Sequence, residues 1–164
     1  MERDGHMTKE QKKEFAARVV QANRSQLVVI NYEVILLCIE NAFAAVNECD
    51  RQQVKEEIKL ARQFVNQLMS SLDFSHKISF VLMKAYICVD KQLVRAQSEM
   101  SQECLAEAKS IIKDLHQSFM EIASKDHSLP LMENSETIYC GLTYGKNELN
   151  EISEPGSERR GYRV

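Results

Sequence analysis

Apolar residues are most concentrated in QLVVINYEVILLCIE, Gln26 to Glu40, which Asn31 and Glu33 interrupt. Such a stretch can form a membrane span, a buried strand, or a helix with more than one apolar face. A strand is disfavoured because no Gly or Pro stops the run and good helix formers continue it to about Glu48. A membrane span is disfavoured because it needs ~20 apolar residues, and Asn31, Glu33, Glu40 and Asn41 interrupt this segment before that length. We predict a helix that starts at Asn23.

The helical pattern of this segment leaves two apolar flanks. At 100° per residue, Glu33, Glu40 and Asn47 form one narrow polar stripe between them. One flank contains Leu27, Ile30, Val34, Leu37, Ala44 and Ala45, and the other contains Val28, Tyr32, Ile35, Ile39, Phe43 and Val46. A central position among packed helices would bury both flanks, and the alternative is that one flank binds a partner.

Capping residues and apolar periodicity predict four further helices. They are a short helix from Lys9 to Gln21 after Thr8, a third from about Gln52 to Leu72, a fourth from a cap at Asp73 or Ser75 to about Ser98, and a fifth from Ser101 to about Lys125.

The fourth helix also has two apolar stripes. The broad stripe contains Ile78, Leu82, Ala85, Tyr86, Val89, Leu93 and Ala96, and the second contains Phe80, Met83, Ile87 and Val94. Lys77, Lys84 and Lys91 recur at seven-residue spacing between the stripes. Their simplest interpretation is a solvated face.

Short connections between long helices predict an all-α fold, an antiparallel up-and-down helical bundle with a flexible C-terminal tail. We assign residues 1–22 to a short N-terminal helix or arm, 23–126 to a bundle of four long helices, and 127–164 to the tail. Both prolines and all but one glycine lie in the tail, which predicts a largely disordered segment. Its apolar cluster is either a docking segment or incidental, and consists of Ile138, Tyr139, Leu142 and Tyr144.

Composition narrows the classes of partner and compartment. A net charge of -3 over 164 residues gives no electrostatic case for nucleic acid or an anionic membrane as partner. The five cysteines form no C-x-x-C pair, and the segment before KKEFAARVV lacks the apolar core of a secretory signal. We therefore predict a cytoplasmic protein in a reducing environment.

Motifs that carry chemistry are not found in the sequence. The four histidines show no metal-ligand spacing, and no phosphate-binding glycine loop or nucleophile elbow occurs. We predict no metal, no cofactor and no enzymatic activity.

Three segments together resemble the FliS family of flagellar secretion chaperones. They are NRSQLVVINYEVILLCIENA, QLMSSLDFSHKISFVLMKAYICVDKQLVRA and SIIKDLHQSFMEI, within roughly Asn23 to Ile122. The resemblance implies a cytosolic bundle that binds the disordered C-terminal region of flagellin, prevents its premature polymerisation and hands it to the export apparatus. Flagellar regulators are further candidate partners, and a homodimer is left open.

The resemblance implies a set of client-binding residues on the second and fourth helices. Tyr32 and Glu33 stand where the family has Tyr-Asp, and we expect them to be polar handles for the client. Each apolar member fits the bundle core equally well. The full set is Leu27, Ile30, Tyr32, Glu33, Ile78, Leu82, Tyr86, Val89 and Leu93.

The N-terminus departs from the family pattern. The usual Asn-Pro-Tyr segment is missing and KKEFAARVV stands in its place, so autoinhibition by that segment is not expected. This departure keeps a second hypothesis open, a helical interaction or dimerisation module for another secreted or regulatory protein.

Overall fold

The computed structural model describes residues 8–132, which form helices and their connections without a strand in that range. In chain order the helices are α1 Lys9–Gln21, α2 Arg24–Asn47, α3 Arg51–Ser70, α4 Lys77–Glu99 and α5 Gln102–Lys125. The predicted all-α bundle with a short first helix is confirmed. The predicted docking segment, Ile138, Tyr139, Leu142 and Tyr144, lies outside the described residues.

The four long helices form a closed cycle. α2 packs against α3 and α5, and α4 packs against the same two helices, so α2 and α4 lie diagonally opposite each other. Polar contacts join each pair of neighbouring helices: Asn41 to Glu57, Arg62 to Asp90, Gln92 to Glu107, and Lys109 to Glu40. α1 packs on the outside of α2.

Local sequence decides where most helices begin. The Asn23 side chain accepts from the Gln26 backbone N–H at 2.9 Å, and the Gln26 side chain accepts from the Asn23 N–H at 3.0 Å. Thr8 and Gln11 make the same reciprocal pair at the start of α1. Each pair satisfies two backbone donors that the first helical turn leaves open. The predicted starts of α1 and α2 are therefore confirmed.

The start of α4 differs from the prediction. Asp73 and Ser75 do not cap it; α4 begins at Lys77, and the side chain of His76 at the N-cap makes no capping bond. The Asp73 carboxylate accepts from the Ser75 N–H at 2.9 Å, and its carbonyl accepts from the Ser79 hydroxyl at 2.5 Å. Asp73 thus stabilises the turn before α4, because its acceptors are used within that turn.

The apolar character of α2 is explained by its position. By length and composition alone α2 could cross a membrane, and it supplies ten of the buried residues. Most of these contact α3, α4 and α5 in the core. Val29 and Ile30 are buried outside that core cluster, beside α1. α2 is therefore a central helix of the bundle, with residues of both flanks in the core and with Val29 and Ile30 covered by α1.

The segment after α5 returns to the start of α2. The Asn23 side-chain amide donates to the Asp126 carbonyl at 3.0 Å, and the Leu131 N–H donates to the Ala22 carbonyl at 3.2 Å. The Ser25 hydroxyl donates to the Asp126 carboxylate at 2.5 Å, which lowers the pKa of Asp126 to about 2. Residues 127–132, assigned to the tail by the sequence, are therefore held against the bundle.

We expect Asn23→Ala to lower the free energy of unfolding by about 1–2 kcal/mol, because it removes a helix cap. Thr8→Ala is the matched control, since Thr8 caps α1, a helix without buried residues. Its effect on global unfolding should stay below about 0.5 kcal/mol. Urea denaturation of both variants measures the difference, and equal losses would contradict the interpretation.

Candidate interaction surfaces

Four of the nine predicted client-binding residues lie in the bundle core. Tyr32, Tyr86, Val89 and Leu93 are almost completely buried. The Tyr32 and Tyr86 hydroxyls lie 2.5 Å apart and share a hydrogen bond across the diagonal of the bundle. The hydroxyl expected to be a polar handle is thus paired inside the protein, where an outside partner does not reach it.

The tyrosine pair links three helices. Tyr32 of α2 also packs edge-on against Phe119 of α5, with ring centroids 5.5 Å apart. Burial raises the pKa of both tyrosines, because a phenolate would lose its hydration in the core. The pair is therefore neutral, and it fixes α2, α4 and α5 relative to one another.

Tyr32→Phe should cost about 1–3 kcal/mol of unfolding free energy, because it leaves the Tyr86 hydroxyl buried without its partner. The double variant Tyr32→Phe/Tyr86→Phe should cost less than the sum of the single variants, since neither hydroxyl then remains. A double-mutant cycle by chemical denaturation tests this. Additive losses would show that the two hydroxyls are not coupled.

Glu33, the other predicted polar handle, binds α1. Its carboxylate accepts two hydrogen bonds from the Arg18 guanidinium, at 2.5 and 3.0 Å, and lies 3.7 Å from His116 Nε2 of α5. The hydrogen bond to Glu33 raises the pKa of Arg18. This bidentate pair is the main polar link between α1 and α2, because paired N–H donors match a carboxylate.

A groove lies between α2 and α5 beneath α1. It encloses about 450 Å³. Its apolar lining comes from Val29, Ile30, Met120 and Ala123, and we call it the α1 groove. α1 itself contributes no buried residue. The groove is therefore covered by a helix that is weakly embedded.

An apolar patch lies where α4 begins and α5 ends. Ile78 and Val81 are each 61% exposed, and Ile122 of α5 is 51% exposed. Leu82 beside them is half-buried against the core. These four residues define the α4–α5 patch. Val81 was missed by the sequence analysis, although it follows Ile78 by three positions and so shares its side of the helix.

Leu27 lies apart from both surfaces. It is half-buried and lines a cavity between the start of α2 and the end of α3, together with Val28, Asn31 and Leu68. The predicted site residues thus fall into three groups: the core, the α1 groove with Ile30 and Glu33, and the α4–α5 patch with Ile78 and Leu82.

The described residues offer little for bond-making chemistry. In residues 8–132 no group of three or more His, Cys, Asp or Glu side chains could hold a metal ion. Cys38, Cys49, Cys88 and Cys104 are free thiols. Burial, and then the neighbouring Glu57, raises the pKa of Cys38 to about 12, which makes that thiol a poor nucleophile. The surfaces described above suit binding by apolar contact.

The family model of the flagellar protein FliS matches residues 7–126. The match covers more than two thirds of the chain and includes α1, which lies before the segments that carried the resemblance. No curated protein matches the chain in a sequence search. The matched family is one of chaperones and not of enzymes. The chain therefore belongs to the FliS family of flagellar export chaperones.

Proposed function

We propose that this protein is a cytosolic chaperone of flagellin, which binds the disordered C-terminal region of flagellin, prevents premature polymerisation and delivers it for secretion. The observation that carries this proposal is the α4–α5 patch, whose Ile78 and Val81 are exposed outside a core that is already complete. Large apolar side chains exposed together at one end of a bundle are a feature of interaction sites.

The two surfaces lie on either side of the last turns of α5. The α1 groove adjoins the α2 side of that helix, through Met120 and Ala123. The α4–α5 patch adjoins its other side, through Ile122. A disordered client that folds into amphipathic helices on binding could place one apolar face on each. Apolar burial at ~25 cal/mol per Å² would then offset the cost of ordering the client.

In this arrangement the predicted residues have different roles, client contact for some and support of the fold for others. Ile30, Glu33, Ile78 and Leu82 are the proposed client contacts, because they border the two surfaces. Tyr32, Tyr86, Val89 and Leu93 act indirectly, by holding the helices that present those surfaces. Leu27 is assigned to the cavity beside α3 and is the weakest contact of the set.

The proposal is tested by calorimetric titration of the full chain with the C-terminal region of flagellin from the same organism. We expect one-to-one binding with a large negative heat-capacity change. Ile78→Asp should weaken binding at least about tenfold, because it places a charge in the apolar contact.

Ile87→Asp is the matched control for this test. Ile87 is also exposed on α4, but it follows Ile78 by nine residues, about two and a half turns, and so lies on the opposite side of the helix. It should leave flagellin affinity within about twofold, a difference of ~0.4 kcal/mol. Absence of binding heat in the unsubstituted chain would contradict the flagellin proposal and favour the second hypothesis, a module for another secreted or regulatory protein.

Displacement of α1 should accompany client binding if the α1 groove is used. Arg18→Ala removes the bidentate contact to Glu33 and should loosen α1. We expect flagellin affinity to rise about threefold to tenfold, because less free energy is spent in uncovering the groove. Lys12→Ala on the exposed side of α1 is the control. Reduced affinity in Arg18→Ala would indicate that α1 is part of the binding surface.

A further inference from the structure

The second apolar stripe of α4 remains exposed in the folded bundle. Phe80, Ile87 and Val94 are 55%, 39% and 42% exposed, and they recur every seven residues. Met83 is half-buried between the first two. In heptad terms the three residues occupy a positions and Met83 a d position, so the a positions form an apolar row along the helix. The stripe runs about 21 Å along the helix.

The stripe faces the boundary between α4 and α3. Asp90 occupies the next d position, and its carboxylate accepts hydrogen bonds from the Arg62 guanidinium of α3 at 2.6 and 3.2 Å. Gln97, the d position after that, lines a cavity of about 340 Å³ together with Lys55, Lys59 and Arg62. The stripe and this cavity both lie on the α3 side of α4, and we call the two together the α3–α4 groove.

Cations flank the α3–α4 groove on both sides. Lys77, Lys84 and Lys91 occupy the e positions of α4 and are exposed, whereas Lys55, Lys59 and Arg62 line the α3 side. Among the residues of the stripe, its d positions and the flanking cations, Asp90 is the acidic one, and its carboxylate is paired with Arg62. The chain as a whole carries a net charge of -3, so this concentration of positive charge is local.

Residues at e positions beside an apolar seam select the charge of the partner helix, so the exposed lysine row would favour an acidic helix. A second copy of this chain is a poor occupant, since it would place lysines against lysines. Acidic residues beside a matching apolar stripe would meet both the charge and the spacing.

We propose that the α3–α4 groove binds an acidic amphipathic helix of a partner protein. Apolar residues of that helix, at heptad spacing, would pack on Phe80, Ile87 and Val94. Its Glu or Asp residues would face Lys84 and Lys91. The groove lies on the other side of α4 from the α4–α5 patch, so this inference does not depend on the proposed flagellin function.

The test uses two synthetic, fluorescein-labelled peptides of about three heptads with Leu at a and d. One carries Glu at e and g, and the matched peptide carries Lys there. Fluorescence anisotropy with the full chain should show at least about tenfold tighter binding of the glutamate peptide. This preference should shrink as the salt concentration rises from about 0.05 to about 0.5 M.

Reversal of charge in the α3–α4 groove is the second part of the test. Lys84→Glu/Lys91→Glu should weaken binding of the glutamate peptide at least about tenfold. Lys13→Glu/Lys113→Glu changes the net charge equally on exposed sites of α1 and α5, and should leave affinity within about twofold. Circular dichroism verifies that each variant retains the bundle. Equal affinity for the two peptides, or an unchanged affinity in the groove variant, would overturn the proposal.

Two other occupants are distinguishable outcomes, and either would overturn the inference. In the first, the chain sediments with phosphatidylglycerol-containing vesicles, Lys84→Glu/Lys91→Glu does not, and the glutamate peptide does not bind. This result would assign the groove to an anionic membrane. The other is a dimer in sedimentation velocity that Ile87→Asp abolishes, which would assign it to a second copy of the chain.

Discussion

A helix as apolar as α2 is stable in water only when neighbours cover it, and the other helices are arranged around that condition. α3 and α5 pack along its sides, and α4 completes the core through the hydrogen bond between Tyr32 and Tyr86. Val29 and Ile30 remain outside the core, and α1 covers them. α1 contributes no fully buried residue, although Phe15 is half-buried against the core, so α1 is the cover whose removal costs the least packing.

Capping residues made the starts of the helices predictable, and the prediction failed where a capping residue bonds within a turn instead. The caps at Thr8 and Asn23 bond within three residues, so the sequence alone contains both partners. Asp73 also has the residue type of a cap, yet its acceptors serve the turn that precedes α4. Which of these two local arrangements is adopted depends on how the turn packs on the bundle end, and residue type does not encode that.

The interaction surfaces were less predictable, because periodicity identifies the residues that share a face but not the extent to which neighbours cover it. Ile78 and Val89 lie on one stripe of α4, yet Ile78 is largely exposed at the bundle end and Val89 is buried among four helices. The hydroxyl partner of Tyr32 is 54 residues away. The lysine row was visible in the sequence, but the pairing of Arg62 on α3 with Asp90 on α4 required the fold.

The hydrogen bond from Asn23 to Asp126 joins positions 103 residues apart, so the bundle begins and ends at the same point in space. Proteins whose ends lie together often tolerate circular permutation. A short linker could join the two ends of the four-helix bundle here, and new termini could be opened in the turn between α3 and α4 while the contacts among α2, α3, α4 and α5 are retained. The order of the helices along the chain is therefore separable from their arrangement in space, and a permuted chain would expose the start of α4 as a free end.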